Sequence, residues 1–374
     1  MKGHPLSSSS LPNPSPSHPL APYGWDADRE AEFAPYAEQG CLPGRVVRVD
    51  RGQCDVATAD GVLRADIAFV TPNDPLRVVC TGDWVAVEPD GDPRHVRTCL
   101  PRRTAFVRST SSKRSEGQIL AANVDHAIVA VSLAADPDLA RIERFLALAW
   151  ESGAQPLVVL TKADLVPDPV TLSHLVQDVE TAAPGVQVLS VSAEQGEGLD
   201  VLAATVAGGT AVLLGQSGAG KSTLANALLG ADVMDVRAIR DVDGKGRHTT
   251  TTRNLLVLPG GGVLIDTPGL RGVGLWDANS GVEQVFAEIS ELAERCRFHD
   301  CAHGTEPGCA VLAAIDDGEL PERRLDSYRK LMRENQRIVA KTDARVRAEL
   351  RKEWKRRGAL GKAAMEAKRG GGMR

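Results

Sequence analysis

Apolar and polar positions alternate along residues 44–109 and indicate an all-β segment. The alternating runs are VVRVD, CDVATADGVLRADI, DWVAVEP and TAFVRS, and turns of Gly, Asp and Pro separate them. An alternation with a period of two is typical of strands that have one buried face. Several short strands in so short a segment predict a small β-barrel.

After residue 117 the pattern changes to apolar runs that alternate with stretches of helical periodicity. In chain order these are HAIVAVSLA, LARIERFLALAWESG, PLVVLTKADL, a helix near Val170–Ala182, and VQVLSVSA. Strands that alternate with helices predict a parallel sheet with helices on both faces, which is the α/β class. In such sheets, ligands bind at the loops that follow the carboxyl ends of the strands.

The two ends of the chain follow neither pattern. Residues 1–21 are dominated by Ser and Pro and contain too little apolar surface to fold alone, so we expect disorder there. Residues 22–40 contain four aromatic side chains, which allow a short docked helix, and a longer disordered tail is the alternative. Near the other end, apolar residues recur at helical spacing from Leu325 to Trp354, with most Lys and Arg on the opposite side. This helix is expected to lie on RNA, or else to be a solvated charged helix.

These patterns divide the chain into five predicted parts. A boundary is expected at Thr110–Gly117, whose polar sequence TSSKRSEG is typical of a linker. A five-stranded barrel of the oligonucleotide-binding type (OB-type) fits the first folded part, although another small all-β domain would fit the alternation too. The parts are a largely disordered tail (1–40), an OB-type β-barrel (41–110), an α/β domain (118–275), a cysteine-containing helical module (276–340) and a basic tail (341–374).

Composition and charge narrow the function. The chain has 374 residues, of which 43% are apolar and 25% charged, as in ordinary globular proteins. No apolar run is long enough to span a membrane and the N-terminus lacks a signal core, so we expect a cytoplasmic protein with reduced cysteines. Residues 322–374 carry a net charge of +11, which leaves −16 for the rest of a chain whose total is −5. A basic end on an acidic body suggests a polyanionic partner.

The stretch GQSGAGKST follows an apolar run and precedes a helical pattern, and it matches the P-loop pattern G-x-x-x-x-G-K-[ST]. Glycines let such a loop curl so that its backbone N–H groups face phosphate oxygens at a helix N-terminus. Lys221 would reach the β- and γ-phosphates, and Ser222 would bind Mg²⁺. The alternative is a glycine-rich turn between a strand and a helix. The loop consists of Gly215, Gln216, Ser217, Gly218, Ala219, Gly220, Lys221, Ser222 and Thr223.

A second motif would read the base of a nucleotide. Thr161, Lys162, Ala163 and Asp164 directly follow a buried strand and resemble the N/T-K-x-D motif of GTPases. The carboxylate of Asp164 can accept hydrogen bonds from both guanine donors, while the stem of Lys162 covers the base. Thr161 stands where Asn is the commoner residue, and its side chain has fewer hydrogen-bonding atoms. It should therefore affect the affinity for nucleotide more than the selection of guanine. The pair Ser192 and Ala193 ends the next strand and matches the S-A motif that lies behind the base.

Two further motifs would sense the γ-phosphate. Asp266 and Gly269 belong to DTPG after an apolar strand and match D-x-x-G, whose Asp holds Mg²⁺ through water. The loop GKGRHTTTT at residues 244–252 lies between this motif and the P-loop. It is interpreted as the first switch, in which one of the threonines, with Thr250 as a candidate, could add a Mg²⁺ ligand. An ordinary turn is the alternative for each of these two segments.

The order of these motifs indicates circular permutation. A conventional GTPase runs from the P-loop through the switch threonine and D-x-x-G to the base motif and S-A, whereas here the last two come first. The rearrangement requires only a short join between the helix after Ser192 and the strand before Gly215, which Gly208 to Thr210 can supply. Whatever follows residue 274 is then attached to the element that senses the γ-phosphate.

Three of the seven cysteines lie within fourteen residues, at Cys296, Cys301 and Cys309. Together with His303 they offer three thiolates and an imidazole, which suit tetrahedral Zn²⁺. His299 is a competing ligand, and unliganded thiols are the alternative. The other four cysteines are scattered through residues 41–99 and are interpreted as small buried apolar residues.

Barrel, permuted GTPase and cysteine module together resemble the ribosome small subunit-dependent GTPase A (RsgA) family. The resemblance covers residues 44–337 and rests on GQSGAGKS, GRHTTT, DTPG and CRFHDCAHGTEPGCA. It implies GTP, Mg²⁺ and Zn²⁺ as cofactors, the small ribosomal subunit and its rRNA as partners, and a role in late subunit maturation. It also implies that the zinc ligands are Cys296, Cys301, His303 and Cys309. The long N-terminal tail has no counterpart in the resemblance.

Two functions remain open at this point. The first is a monomeric GTPase that hydrolyses GTP on the small subunit, and the second is a nucleotide-gated RNA-binding assembly factor whose hydrolysis is incidental. In Ras-like GTPases a Gln orients the attacking water, but here the residue just after D-x-x-G is Leu270, which cannot form a side-chain hydrogen bond. His248 in the first switch is the nearest candidate for that role, and a surface histidine is the alternative.

Overall fold

A computed structural model describes residues 18–50, 52–70, 74, 76–109, 117–232, 254–266 and 278–342. Within this part of the chain, no helix is both long and apolar enough to cross a membrane.

The first described residues pack on the barrel. Helix α1 (Ala27–Ala37) is capped by Asp26, whose carboxylate accepts a hydrogen bond from the Arg29 amide at 2.9 Å. Leu20 is fully buried in an apolar cluster that includes Trp25, Phe33 and Trp84. The expected docked helix is therefore present. The expected disorder of residues 1–21 is wrong for Leu20, because aromatic rings contributed by two different elements bury it.

Five strands form a closed barrel in the spatial order β1-β2-β3-β5-β4. They are β1 (Leu42–Asp50), β2 (Gln53–Thr58), β3 (Gly61–Asp66), β4 (Trp84–Val87) and β5 (Arg94–Cys99). Side chains that alternate along the strands fill its interior, including Val46, Val56 and Val85. The predicted barrel is confirmed. The four cysteines of this region are buried or half-buried, as small apolar residues would be.

The run TAFVRS lies outside the barrel, which corrects the prediction. It forms β6 (Ala105–Ser109), which pairs antiparallel with β7 (Gly117–Ala122) in a sheet of its own. Phe106 of β6 packs into the core of the α/β domain rather than into the barrel. Residues 110–116 thus connect two paired strands, and this hairpin spans the predicted boundary. Alternation could not reveal the difference, because a strand with one buried face looks the same in either sheet.

The α/β domain contains a six-stranded sheet in the order β10-β9-β8-β11-β13-β12. Its strands are β8 (His126–Ser132), β9 (Gln155–Thr161), β10 (Gln187–Val191), β11 (Thr210–Leu214), β12 (Asn254–Val257) and β13 (Val263–Asp266). All pairs are parallel except β12 with β13.

Helices cover both faces of this sheet, as predicted. Along β9, Val158 and Leu160 face a core shared with α2 and α3, whereas Leu157 and Val159 face a second core shared with α4 and α5. These helices are α2 (Leu139–Ser152), α3 (Pro169–Ala182), α4 (Leu199–Val206) and α5 (Lys221–Leu229). Only residues 207–209 join α4 to β11, so the short connection required by the permutation is present.

The described residues from 278 onwards form helices α6 (Asn279–Val285), α7 (Ala287–Ala293), α8 (Ala310–Asp316) and α9 (Glu322–Thr342). Helices α6 and α9 pack on α2, and α9 also contacts the fully buried Glu143 of α2. The Glu143 carboxylate forms an ion pair with Arg324 of α9 at 2.8 Å and also accepts a hydrogen bond from the Ser327 hydroxyl. A buried carboxylate is stable only when paired in this way, so the network fixes α9 against α2.

Candidate functional site

The nucleotide motifs converge at one edge of the sheet. Thr161 ends β9, the P-loop follows β11 and Asp266 ends β13, while Ser192 directly follows β10. Because these four strands are parallel, their carboxyl ends meet at the same edge. The structure thus brings together motifs that are as much as a hundred residues apart in the chain.

The P-loop has the backbone that its glycines permit. Gly218 and Gly220 have φ angles of 82° and 75°, in the left-handed region that glycine adopts without strain. The Lys221 ammonium donates a hydrogen bond to the Gly215 carbonyl at 2.8 Å and another to the Gln216 carbonyl. Lys221 is also the first residue of α5, so Lys221, Ser222 and Thr223 all lie in the helix's first turn. The loop therefore places a cation and a helix N-terminus side by side.

Thr161 ties the base motif to the P-loop. Its buried hydroxyl lies 2.9 Å from the Ala219 carbonyl oxygen and 3.3 Å from that of Val131. Lys162 then adopts a left-handed conformation with φ of 60°, which turns the chain into the short helical turn Ala163–Leu165. The lone hydroxyl of Thr161 is therefore enough to connect the two motifs.

The side chain of Asp164 is oriented by the S-A motif. The Ser192 hydroxyl donates a hydrogen bond to Asp164 Oδ1 at 2.6 Å and accepts one from the Gln195 amide at 3.1 Å. Ser192 is fully buried, and its backbone pairs with Glu197. Ala193 follows it in the same turn. One oxygen of the Asp164 carboxylate is thus held by a buried hydroxyl.

Other predicted site residues have different outcomes. Asp266 is the last residue of β13 and pairs with Asn254 of β12. His248, Thr250 and Gly269 lie outside the described residues, as do the rest of the first switch and of DTPG.

The sequence did not reveal a cavity beside the P-loop. Its volume is about 270 Å³, and its lining includes Gln216 to Ala219 and Lys162. The loop from β8 to α2 lines it as well, together with Ile142 and Phe145 of α2. That loop also follows a parallel strand, so its position at the ligand-binding edge was available as a signal, but it contains no recognisable motif.

The metal cluster is compact. The ligand atoms of Cys296, Cys301, His303 and Cys309 all lie within 4.8 Å of one another. The Cys296 and Cys309 sulfurs are 3.9 Å apart, and His303 Nδ1 lies 3.7 Å and 3.5 Å from them. Bonds of about 2.3 Å to sulfur and about 2.0 Å to nitrogen in a tetrahedron require ligand atoms roughly 3.5–3.8 Å apart. The four residues therefore fit a tetrahedral metal ion, and His299 is not part of the group.

The chemistry of the cluster also suits a metal. Burial opposes ionisation of the Cys296 thiol, but hydrogen bonds with the amides of Ala310 and Val311 and with the Cys309 and Cys301 thiols together lower its pKa. These two amides belong to the N-terminus of α8, where a thiolate is favoured. Burial lowers the pKa of His303, which keeps its imidazole neutral and able to ligate. For Cys301, burial and the neighbouring thiols raise the pKa to about 11, so ionisation of this thiol would depend on a bound cation.

Comparison with known proteins then decides the family. The chain is 86% identical over 352 residues, or 94% of its length and 96% of the relative's, to the small ribosomal subunit biogenesis GTPase RsgA of Streptomyces coelicolor. The chain belongs to the RsgA GTPase family. The RsgA GTPase family model matches residues 99–276. The RsgA protein of Streptomyces avermitilis is 81% identical over 98% of this chain and 99% of its own.

Solved structures show the same fold for this RsgA GTPase. YjeQ from Thermotoga maritima superposes with a TM-score of 0.60 at 26% identity, covering 79% of this chain and 98% of its own. YloQ, a circularly permuted GTPase, superposes with a TM-score of 0.58 at 23% identity, covering 79% and 95%. The fold class is thus confirmed as a circularly permuted GTPase domain with an N-terminal barrel and a C-terminal helical module that could bind zinc. As an RsgA GTPase the protein hydrolyses GTP, with the GTP and Mg²⁺ that this activity implies.

Proposed function

We propose that this protein binds the small ribosomal subunit and hydrolyses GTP during late maturation of that subunit. The observation that carries the proposal is identity of 86% along almost the whole chain to a protein named for small ribosomal subunit biogenesis. The proposed partner is the subunit's rRNA, and a cytoplasmic monomer is the form in which we expect the protein to act.

The described residues divide the work of nucleotide binding. The P-loop amides and Lys221 bind the phosphates, and a nucleotide would draw the Lys221 ammonium away from the loop carbonyls that it now contacts. Asp164 reads guanine, and Ser192 holds its carboxylate in place. Ser222, with Thr250 from the first switch, would bind Mg²⁺ directly, and Asp266 would hold the ion through water. Mg²⁺, when bound, neutralises charge on the β- and γ-phosphates.

A structural role is proposed for zinc. Four side chains would fill all four positions of a tetrahedral ion and leave no open position for water. Cys309 directly precedes α8 and Cys296 lies three residues after α7, so the ion would join the two helices. The proposed ligands are Cys296, Cys301, His303 and Cys309, and Zn²⁺ is the ion that this donor set favours.

Hydrolysis is proposed to depend on His248. Position 270 holds Leu, which cannot orient water by hydrogen bonding, so the intrinsic rate should be slow. His248 would orient the attacking water when the subunit orders the first switch.

GTP turnover with and without purified small subunits tests the proposal. We expect stimulation of the wild-type rate by subunits and its loss in His248→Ala, with unchanged GTP affinity. An undiminished stimulated rate in His248→Ala would remove this residue from the mechanism. No stimulation of the wild type would favour the alternative, an RNA-binding factor for which hydrolysis is incidental.

A further inference from the structure

Helix α6 is the first described element after Asp266, and its own sequence gives it little stability. It has seven residues, NSGVEQV, and its N-cap position is occupied by Ala278, whose side chain cannot form a capping hydrogen bond. Asn, Ser and Gly are poor helix formers, and a helix this short is unstable alone. Contacts from other elements must therefore hold α6 in place.

Helix α9 holds the start of α6 through one fully buried amide side chain. The Ala278 amide donates a hydrogen bond to Asn335 Oδ1 at 2.9 Å, and Asn335 Nδ2 donates to Asn279 Oδ1 at 2.6 Å. The first amides of a helix have no partner within it. Asn335 thus acts as an N-cap supplied by a helix 57 residues further along the chain.

The far end of α6 is held by the same helix. Arg324 of α9 donates a hydrogen bond to the Val285 carbonyl at 2.8 Å, and its guanidinium lies 4.4 Å from the centre of the Phe286 ring. Arg324 also forms the ion pair with Glu143 of α2. Helices α6 and α9 therefore run antiparallel, and α9 forms hydrogen bonds with α6 at both of its ends.

Helix α2 closes the other side. Glu151 Oε2 accepts hydrogen bonds from the Ser280 hydroxyl and the Gly281 amide, both at 2.9 Å. A carboxylate is favoured at this end of a helix. At Gly281 any side chain would overlap the Ala147 carbonyl of α2, so only glycine permits this close approach. The position of Ala278 is consequently set by α2 and α9 together.

The position of Ala278 matters for the reaction because Ala278 follows the segment that contains D-x-x-G. Eleven residues, 267–277, connect Asp266 of the sheet to Ala278, and they include the rest of DTPG. In GTPases the D-x-x-G segment lies at the γ-phosphate, although here Leu270 after it cannot orient the attacking water as the Gln of Ras does. Because a shift of about 1 Å in a reacting group can cost a large factor in rate, the anchor of this connection affects hydrolysis.

We propose that Asn335 is a positioning residue for GTP hydrolysis. It fixes Ala278, the first described residue after the D-x-x-G segment, and α9 thereby couples this segment to the cysteine cluster. Arg329 of α9 makes the second link, because its guanidinium donates a hydrogen bond to the carbonyl of the candidate ligand His303. The inference rests on GTP hydrolysis and not on the proposed subunit partner.

The test is single-turnover GTP hydrolysis by the isolated full-length protein, together with binding of a fluorescent GTP analogue. Asn335→Ala should lower the hydrolysis rate about tenfold while the dissociation constant of GTP stays within about twofold. Asn335→Asp keeps an oxygen for the Ala278 amide and should keep most of the rate.

Ser327→Ala is the matched control. Ser327 lies on the same helix and is also buried, but its hydroxyl bonds Glu143 of α2 rather than α6. It should lower the melting temperature and leave the rate unchanged. A wild-type rate in Asn335→Ala, or an equal loss of rate in Ser327→Ala, overturns the proposal.

Should Asn335→Ala fail to fold, Asn279→Ala carries the test. Asn279 is exposed, and its replacement removes the bond to Asn335 Nδ2 while leaving the Ala278 bond in place. A smaller loss of rate at unchanged GTP affinity supports the proposal, and an unchanged rate contradicts it.

Discussion

The carboxylate of Asp164 is oriented by a buried hydroxyl before any base is present. Ser192 donates to Oδ1 at 2.6 Å, which restricts the rotation of the carboxylate. A group fixed in this way loses little entropy on binding, so its hydrogen bonds contribute more of their strength to affinity. Selectivity for guanine should therefore depend on both residues.

We predict that Asp164→Asn weakens GTP and favours xanthosine nucleotides. The amide presents a donor where the carboxylate accepted from a guanine donor, and the mismatch should cost about 2–3 kcal/mol. Competition between GTP, XTP and ATP for a fluorescent guanine nucleotide measures the change. Ser192→Ala is the control, since it should weaken GTP without favouring XTP. Equal binding of GTP and ATP by the wild type would contradict the assignment of Asp164.

Sequence predicted those site residues whose partners lie within a few positions of them along the chain. The P-loop, Asp164 and the cysteine cluster were found because residue type and spacing within a few positions carry their chemistry. The hydrogen bond from Thr161 to Ala219 was not foreseen, because it joins residues 58 apart in sequence. Asn335 carried no signal at all, since its role exists only through a backbone amide of another helix.

At the scale of elements, a buried arginine joins the barrel to the GTPase domain. Arg45 of β1 donates to the Asn123 carbonyl at 3.1 Å and to the Thr210 hydroxyl at 2.8 Å, the latter at the start of the strand that leads to the P-loop. Its guanidinium also lies over the Trp84 ring. Burial lowers the pKa of Arg45 to about 10, although the Asp125 carboxylate partly offsets this effect. Arg45 therefore remains charged at neutral pH and is held by oxygen acceptors.

We predict that Arg45→Met lowers the free energy of unfolding by about 3 kcal/mol, because it leaves several buried acceptors without a donor. Arg97→Met is the matched control: Arg97 is exposed on β5 and forms a surface ion pair with Glu88. Its loss should cost no more than about 0.5 kcal/mol. Urea unfolding measures both changes. Equal losses of unfolding free energy in the two variants would show that the buried hydrogen bonds of Arg45 contribute no more to stability than a surface ion pair.

The pairing of β6 with β7 also bears on where the domains meet. Alternation identified the strands of the barrel, but it could not assign TAFVRS to a partner, because pairing is a long-range choice. Since Phe106 packs into the GTPase core, we propose that the boundary lies between β5 and β6 rather than at Thr110–Gly117. The predicted limits of the zinc module and of the basic tail remain predictions.

At the scale of the whole molecule, metal removal should destabilise the region around the cysteine cluster and leave the GTPase domain folded. We predict that chelation exposes the amides of residues 296–316 to hydrogen exchange while GTP binding is retained, because α6 and α9 are fixed on α2 by contacts that need no metal. Metal analysis should find one zinc per chain in the wild type and less than about half in Cys296→Ser. Cys54→Ser is the control: burial raises the pKa of Cys54 to about 12, so this barrel thiol stays protonated and should not affect zinc content.

The basic end of the chain is the feature most clearly suited to RNA. In the described part of α9, Leu325 and Leu331 are buried against the body while Lys330, Arg333 and Arg337 face solvent. The predicted amphipathic helix is thus confirmed for residues 322–342. Residues 343–374 lie outside the described residues, and their contact with RNA remains a prediction that follows from charge alone.

We predict that deleting residues 352–374 reduces the salt dependence of subunit binding. The deletion removes eight Lys and Arg against two Glu. For every phosphate that the tail no longer neutralises, the slope of log affinity against log salt should fall by about 0.7–0.9, because neutralised phosphates release counterions. Binding measured from low to moderate salt gives the slope. A variant of full length with Gln at those eight positions separates charge from chain length and should match the deletion. An unchanged slope in both variants would mean that this tail does not contact phosphate, and would leave the exposed arginines of α9 as the basic surface available to the subunit.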